Sequence, residues 1–257
     1  MRMRPLARRR RPTQEGSATK TLDEIESAGD RFVVWLAENQ GLLLAIAAVV
    51  LLAAGGWGYV SATGQETSSA ADAALGAAQN EYRVAMGGQP GEAAIPEPAN
   101  PEAARQIREE FAARFAQVGQ DHLGTGPGAV AFLEAGKIQQ ALGDAPAAIA
   151  SYTTGLDSLP ATDALRGFLW SRLGSVYEAN DQWAEAADVY AKAGALKGYA
   201  IRAGASASAI RAYVHAGQPS AALALADQLQ ASAPDFVLSE SLQAEVAELR
   251  FAATQTD

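Results

Sequence analysis

One uncharged stretch dominates the pattern of apolar and polar positions along this chain. Residues 39–65 contain no charged side chain, and residues 41–60 (GLLLAIAAVVLLAAGGWGYV) form a nearly unbroken apolar run. Because twenty residues of α-helix rise about 30 Å, such a run matches the hydrocarbon thickness of a bilayer. The pattern therefore predicts a transmembrane helix over residues 41–62, which separates a short head from a long body.

The head divides into a basic tail and an amphipathic helix. Residues 1–20 are rich in Arg, Pro, Gly and Ser and are predicted to form a disordered cytoplasmic tail. Thr21 and Glu24 fit a capping box, in which a hydroxyl and a carboxylate three residues apart bond the free amides of a helix start. Apolar residues then recur at helical spacing, so residues 21–40 are predicted to form an amphipathic pre-membrane helix.

Residues 63–128 are predicted to contain two membrane-proximal helices. Apolar positions spaced by three and four predict the first helix over residues 68–86. A loop with four prolines follows at residues 87–101, and Asn100 with Pro101 suits the start of the second helix. That helix is expected to end at about residue 120, because the glycine-rich residues 124–128 break the helical pattern.

Residues 129–257 repeat with a period of about 36–38 residues. The best copy has Trp170, Gly174 and Tyr177, then Ala186 and Tyr190, at the spacing of the tetratricopeptide signature. The equivalent residues in the first copy are Phe132, Gly136, Ala148 and Tyr152. A degenerate third copy has Ser206, Ala209, Tyr213, Ala222, Ala226 and Pro234. Because one helix pair cannot bury its apolar face alone, the pairs are expected to stack.

The predicted fold class is all-α, with a single transmembrane helix followed by a tetratricopeptide-like helical solenoid. Small residues such as Gly136 and Gly174 would let the two helices of one repeat cross closely. A final helix predicted over residues 235–252 has one apolar side and would cap the stack. A generic helical bundle is the alternative.

A stack of this kind offers a groove along the first helix of each pair, and such a groove can hold a peptide or a partner helix. The repeat register places six residues in this predicted partner-binding groove: Lys137, Gln140, Ser171, Ser175, Glu178 and Arg211. Since charges bias partner choice more than they help folding, Lys137, Glu178 and Arg211 are the leading candidates. For each residue, a merely solvated position is the alternative.

Charge predicts how the chain lies across the membrane. Eight of its 20 Lys and Arg residues lie within residues 1–40, and none follows the apolar run until Arg83. This bias predicts a cytoplasmic N-terminus and a periplasmic body in a bacterial inner membrane. The body is acidic, which argues against nucleic-acid binding. Cleavage after Ala62, which would release the body as a soluble periplasmic binding protein, is the alternative to a retained anchor.

The sequence suggests no catalytic chemistry. It has two histidines, His122 and His215, and no cysteine. It contains no zinc-protease, serine-hydrolase or phosphate-loop motif, and its acidic residues are spread along solvated faces. We therefore predict no enzyme activity, no catalytic residue, no cofactor and no metal site. His122 is expected to lie at a helix C-terminus, where the helix dipole favours a cation.

Three features together resemble one family. They are the acidic pre-membrane helix (Asp23, Glu24, Glu26, Asp30), the span that follows it directly, and the Ala-rich repeats. Their order and spacing are similar to those of the YfgM-type ancillary subunits of the SecYEG translocon. The resemblance implies partners among translocon subunits, a membrane-anchored periplasmic chaperone and newly exported chains, and it supplies no catalytic residue. A scaffold for another envelope complex, in cell division or wall synthesis, is the alternative function.

Overall fold

A computed structural model describes residues 67–89 and 95–255, which belong to one compact unit of the chain, residues 64–257. Nine helices and no strands occur in this described part. The helices are α1 (67–85), α2 (Pro101–Asp121), α3 (Gly126–Ala141), α4 (Ala145–Asp157), α5 (Leu165–Ala179), α6 (Trp183–Ala195), α7 (Arg202–His215), α8 (Pro219–Ser232) and α9 (Glu240–Thr254). The all-α prediction is confirmed for these residues.

Three consecutive helix pairs form the repeats: α3 with α4, α5 with α6, and α7 with α8. The second helix of each pair follows the first after a three-residue turn, at residues 142–144, 180–182 and 216–218. The middle residue of each turn has a positive φ, at Gly143 (79°), Asp181 (57°) and Gly217 (68°). These three positions recur at the predicted repeat period. We call α3, α5 and α7 the A helices and α4, α6 and α8 the B helices.

A glycine on the A helix faces a tyrosine on the B helix in the first two repeats. A Cβ added to Gly136 would lie 2.4 Å from the Tyr152 ring, and one added to Gly174 would lie 2.7 Å from the Tyr190 ring. Carbon atoms normally approach to about 3.5–4.0 Å. The close crossing predicted from these small residues is therefore confirmed, and each tyrosine fills the space that its glycine leaves.

The helices before the repeats pack as an additional pair. Leu75 and Ala78 of α1 share a buried cluster with Phe111 and Phe115 of α2 and with residues of α3. Residues at the C-terminal ends of α1 and α3, among them Tyr82 and Ala141, line one cleft.

The second predicted helix start is confirmed in detail. The Asn100 side-chain oxygen accepts hydrogen bonds from the amides of Glu102 and Ala103, and Pro101 lies in the first turn. The helix ends at Asp121, one residue beyond the predicted end, and His122 lies at its C-terminus as expected, where it is the C-cap.

One predicted break is confirmed in part, and one predicted boundary is wrong. Residues 122–125 separate α2 from α3 where the glycine-rich residues predicted a break, but α3 already begins at Gly126, and the Thr125 hydroxyl accepts from the amide of Gly128. A Cβ at Gly128 would lie 2.2 Å from the His122 carbonyl oxygen, so this position requires glycine. The final helix begins at Glu240, not near residue 235, because Ser239 provides its N-cap. Its apolar side packs as expected, with Leu242 and Val246 buried.

None of the described helices combines the length and apolarity needed to cross a membrane. The predicted basic tail (1–20), pre-membrane helix (21–40) and transmembrane helix (41–62) lie outside the described residues.

Candidate functional site

The three A helices lie side by side, although each is separated from the next by a B helix in sequence. Helix α3 contacts α5, and α5 contacts α7. The six predicted groove residues all lie on these helices. We call the side of α3, α5 and α7 that carries Lys137, Gln140, Ser171, Ser175, Glu178 and Arg211 the A face.

Four of the six residues pair across neighbouring A helices. The Gln140 side-chain nitrogen donates to the Ser175 hydroxyl over 3.4 Å. The Arg211 guanidinium donates to both carboxylate oxygens of Glu178, at 2.8 and 2.9 Å. In the repeat register, Gln140 is equivalent to Glu178, and Ser175 is equivalent to Arg211. The same two positions therefore join consecutive repeats, weakly at the first interface and through an ion pair at the second.

Lys137 and Ser171 are held differently. The Lys137 ammonium bonds the Glu134 carboxylate one turn earlier on the same helix, at 2.8 and 3.1 Å. The Ser171 hydroxyl lies 3.1 Å from the Tyr199 hydroxyl, beyond the end of the following B helix. The structure thus brings Gln140 with Ser175 and Glu178 with Arg211, but it leaves Lys137 and Ser171 in separate contacts.

Glu178 is the best-connected residue of the A face. Besides Arg211, it accepts a hydrogen bond from the Tyr190 hydroxyl at 3.0 Å. Burial, followed by the charge of Glu178, raises the pKa of Tyr190. Tyr190 therefore keeps its proton and acts as a donor, so Glu178 has two donors that fix its direction.

The equivalent tyrosine of the first repeat has no such partner. Tyr152 is completely buried, and its hydroxyl makes no hydrogen bond to any described residue. Burial raises the pKa of Tyr152 to about 12. Gln140, which occupies the position of Glu178, donates through its side-chain nitrogen to Ser175 and makes no hydrogen bond with Tyr152.

Clefts lie at both ends of the A face. At one end, a cleft of about 290 Å³ is lined by Lys137 and Glu134 together with Tyr82, Ile95 and Arg108. At the other end, a cleft of about 200 Å³ is lined by Arg211 and by Phe236 and Glu245, among others. The sequence patterns did not predict the cleft residues outside the repeats, because α1, α2, α9 and the connections beside them have no repeat pattern.

The charged groups of the A face are half-exposed and form ion pairs, Lys137 with Glu134 and Arg211 with Glu178. No group of three or more metal-ligating side chains occurs within residues 67–89 and 95–255. Such an arrangement can hold polar and charged groups of a partner chain in place.

Comparison with known proteins gives limited similarity. No protein-family model matches the chain. No curated protein matches it either. Among solved structures, it is similar to a kinesin light chain-like protein of Podosopora anserina with nearly identical TPR-like repeats, at 21% identity and a TM-score of 0.46, over 60% of this chain and 79% of that one. A single-site variant of that protein matches at 20% identity and a TM-score of 0.45, over 60% and 83% of the two chains. The assignment of tetratricopeptide-like repeats rests on this chain's own packing.

Proposed function

We propose that this protein is a membrane-anchored protein-interaction module of the bacterial envelope. In this proposal the N-terminus is cytoplasmic, residues 41–62 cross the inner membrane once, and the repeats lie in the periplasm. The A face binds protein partners. The resemblance in the head and span favours a role as an ancillary translocon subunit, which assists newly exported proteins together with a periplasmic chaperone.

The proposed binding role is supported by the polar side chains of the A face, which hydrogen bonds hold in fixed positions. Glu178 is held by two donors from two different helices, and Gln140 and Ser175 pair at the equivalent positions. Ion pairs of this exposure contribute at most about 1 kcal/mol to folding. Their ordered geometry therefore offers more to recognition than to stability.

The anchor is supported by the sequence. The uncharged residues 39–65 are long enough to span a bilayer, and the excess of Lys and Arg in the head favours its retention in the cytoplasm. The acidic body would be exported.

Affinity purification of the full-length protein in mild detergent tests the proposed role. We expect to recover translocon subunits and a periplasmic chaperone. The double variant Lys137→Glu with Arg211→Glu should lose the chaperone or client, because it reverses two charges of the A face. The matched control is Arg105→Glu, which breaks an exposed ion pair with Glu109 on α2, a helix that is not one of the A helices.

Two outcomes would contradict the translocon role. Recovery of only cell-division or wall-synthesis proteins would support the scaffold alternative instead. Replacing residues 1–62 with an unrelated membrane anchor adds a second criterion, since a translocon subunit should lose its association whereas a scaffold should keep it.

A further inference from the structure

The cleft at the α9 end of the A face contains a carboxylate without a partner. This cleft of about 200 Å³ is lined by residues of α7, of α9 and of the connection 233–239 between α8 and α9. Glu245 of α9 is one of these residues. It forms no ion pair with any described residue, and its Oε2 atom is buried without a hydrogen-bond partner among them.

Arg211 lines the same cleft, but its charge is already balanced. The Arg211 guanidinium donates to both carboxylate oxygens of Glu178, at 2.8 and 2.9 Å. A carboxylate oxygen that is removed from water is unfavourable unless a donor reaches it. Since Arg211 bonds Glu178 and not Glu245, the charge that this cleft leaves unbalanced is negative.

The cleft at the other end of the A face differs in this respect. Its four charged lining residues form two ion pairs, Arg108 with Glu97 and Lys137 with Glu134. The charges of that cleft are therefore balanced within the protein, whereas Glu245 requires a cation from outside the described residues.

Apolar side chains line the cleft beside Glu245. Phe236 is 36% exposed and Val237 is 77% exposed, and Leu238 lies next to them in the lining. Sites that enclose a drug-sized ligand have volumes of about 300–1,000 Å³, so this smaller cleft suits a single side chain of a partner. A basic side chain fits such a lining, because its methylene stem packs on apolar surface while its charged end reaches a carboxylate.

From these contacts we infer that the cleft binds a basic side chain of a protein partner, with Glu245 as the residue that pairs with its charge. The occupant is a segment in which an arginine or a lysine is flanked by apolar residues, which pack on Phe236 and Val237. Arginine binds more tightly than lysine, because a guanidinium can pair with a carboxylate through two hydrogen bonds and stack on an aromatic ring. The net charge of −9 attracts such segments to the protein.

Four fluorescent peptides test this contact on the full-length protein in mild detergent. They share the sequence Gly-Ser-Val-X-Val-Ser-Gly, in which X is arginine, lysine, alanine or glutamate. Fluorescence anisotropy should show affinities that decrease in this order, with about a tenfold difference between the arginine and alanine peptides, as is typical of a hydrogen-bonded charge. Equal affinities, tightest binding of the glutamate peptide, or no binding of any peptide would overturn the inference.

Substitutions of Glu245 show whether this residue sets the preference. Glu245→Gln keeps the shape of the side chain and removes its charge, so the arginine and alanine peptides should bind equally. Glu245→Lys should reverse the order in favour of the glutamate peptide, a result that loss of folding cannot produce. The matched control is Glu248→Gln, which makes the same change at an exposed position of α9 outside the cleft lining and should keep the tenfold preference. A preference that survives Glu245→Gln would contradict the inference.

The inference rests on the proposed role of the A face in protein binding, and affinity purification distinguishes failure of the two. If Lys137→Glu with Arg211→Glu loses the partner while Glu245→Lys keeps it, the A face binds partners and the basic contact is wrong. If the peptides show a preference that depends on Glu245 but the double variant keeps its partner, the cleft binds basic side chains and the proposed role of the A face is wrong.

Discussion

Substitution of Gly136 by alanine tests the close crossing of the two helices in the first repeat. The new methyl would lie 2.4 Å from the Tyr152 ring, about 1 Å inside normal carbon contact. Tyr152 is completely buried and cannot swing away into solvent. Overpacking of this kind costs about 1–3 kcal/mol, whereas replacing a helical glycine by alanine gains only about 0.5–1 kcal/mol. We expect a net loss of about 1–2 kcal/mol in the free energy of unfolding.

Gly204→Ala is the matched control, because it makes the same change in α7 with nothing within 4 Å of the added Cβ. It should stabilise the protein by about 0.5–1 kcal/mol. Urea unfolding of both variants, followed by circular dichroism in mild detergent, measures the difference. If Gly136→Ala were as stable as Gly204→Ala, the packing described between Gly136 and Tyr152 would be refuted.

Three further outcomes follow from the A face and its tyrosines. Tyr190→Phe should lower the free energy of unfolding by about 1–2 kcal/mol, because it removes a hydrogen bond to a carboxylate. Tyr152→Phe should cost almost nothing, since the Tyr152 hydroxyl has no described partner. Thermal unfolding of the two variants measures the difference. Burial raises the pKa of Tyr152 in the folded protein to about 12, whereas the unfolded value is near 10. The free energy of unfolding should therefore be unaffected by this group below about pH 10 and should fall as pH rises from about 10 to 12. Tyr152→Phe should reduce this fall when unfolding is measured against pH. The double variant Gln140→Glu with Ser175→Arg should show a favourable coupling of about 0.5–1 kcal/mol in a double-mutant cycle, because it copies the ion pair of the next interface; zero coupling would show that the two interfaces are not equivalent.

The sequence predicted the repeats well because they depend on short-range patterns. Gly136 and Gly174 mark the crossings, and Asn100 marks a helix start, since each acts on atoms a few residues away or at a fixed repeat spacing. The register that follows from them places Gln140 opposite Ser175 and Glu178 opposite Arg211.

The starts of α9 and α3 were mispredicted because the sequence pattern at each start fits two different structures. Leu238 and Leu242 fit helical spacing, so the periodicity could not show that the helix starts only after Ser239. Gly128 resembled a helix breaker, yet its lack of a side chain is what allows the first turn of α3 to approach His122. These outcomes depend on tertiary contacts, which the local pattern does not contain.

The ends of the A face could not be predicted for the same reason. Arg108 reaches its cleft from α2, and Phe236 reaches the other from a connection without repeat pattern. Likewise, the pairing of Glu178 with Tyr190 requires the A and B helices to be placed in three dimensions before it becomes visible.

Site-specific photo-crosslinking in intact cells tests the central claim, that the A face is the surface on which protein partners dock. A photoreactive amino acid would replace Lys137 or Arg211, and Lys192, an exposed residue on the B helix α6, would serve as the control. We expect a defined protein adduct from both A-face positions and none from Lys192. An adduct that forms from Lys192 alone, or no adduct from either A-face position, would contradict it.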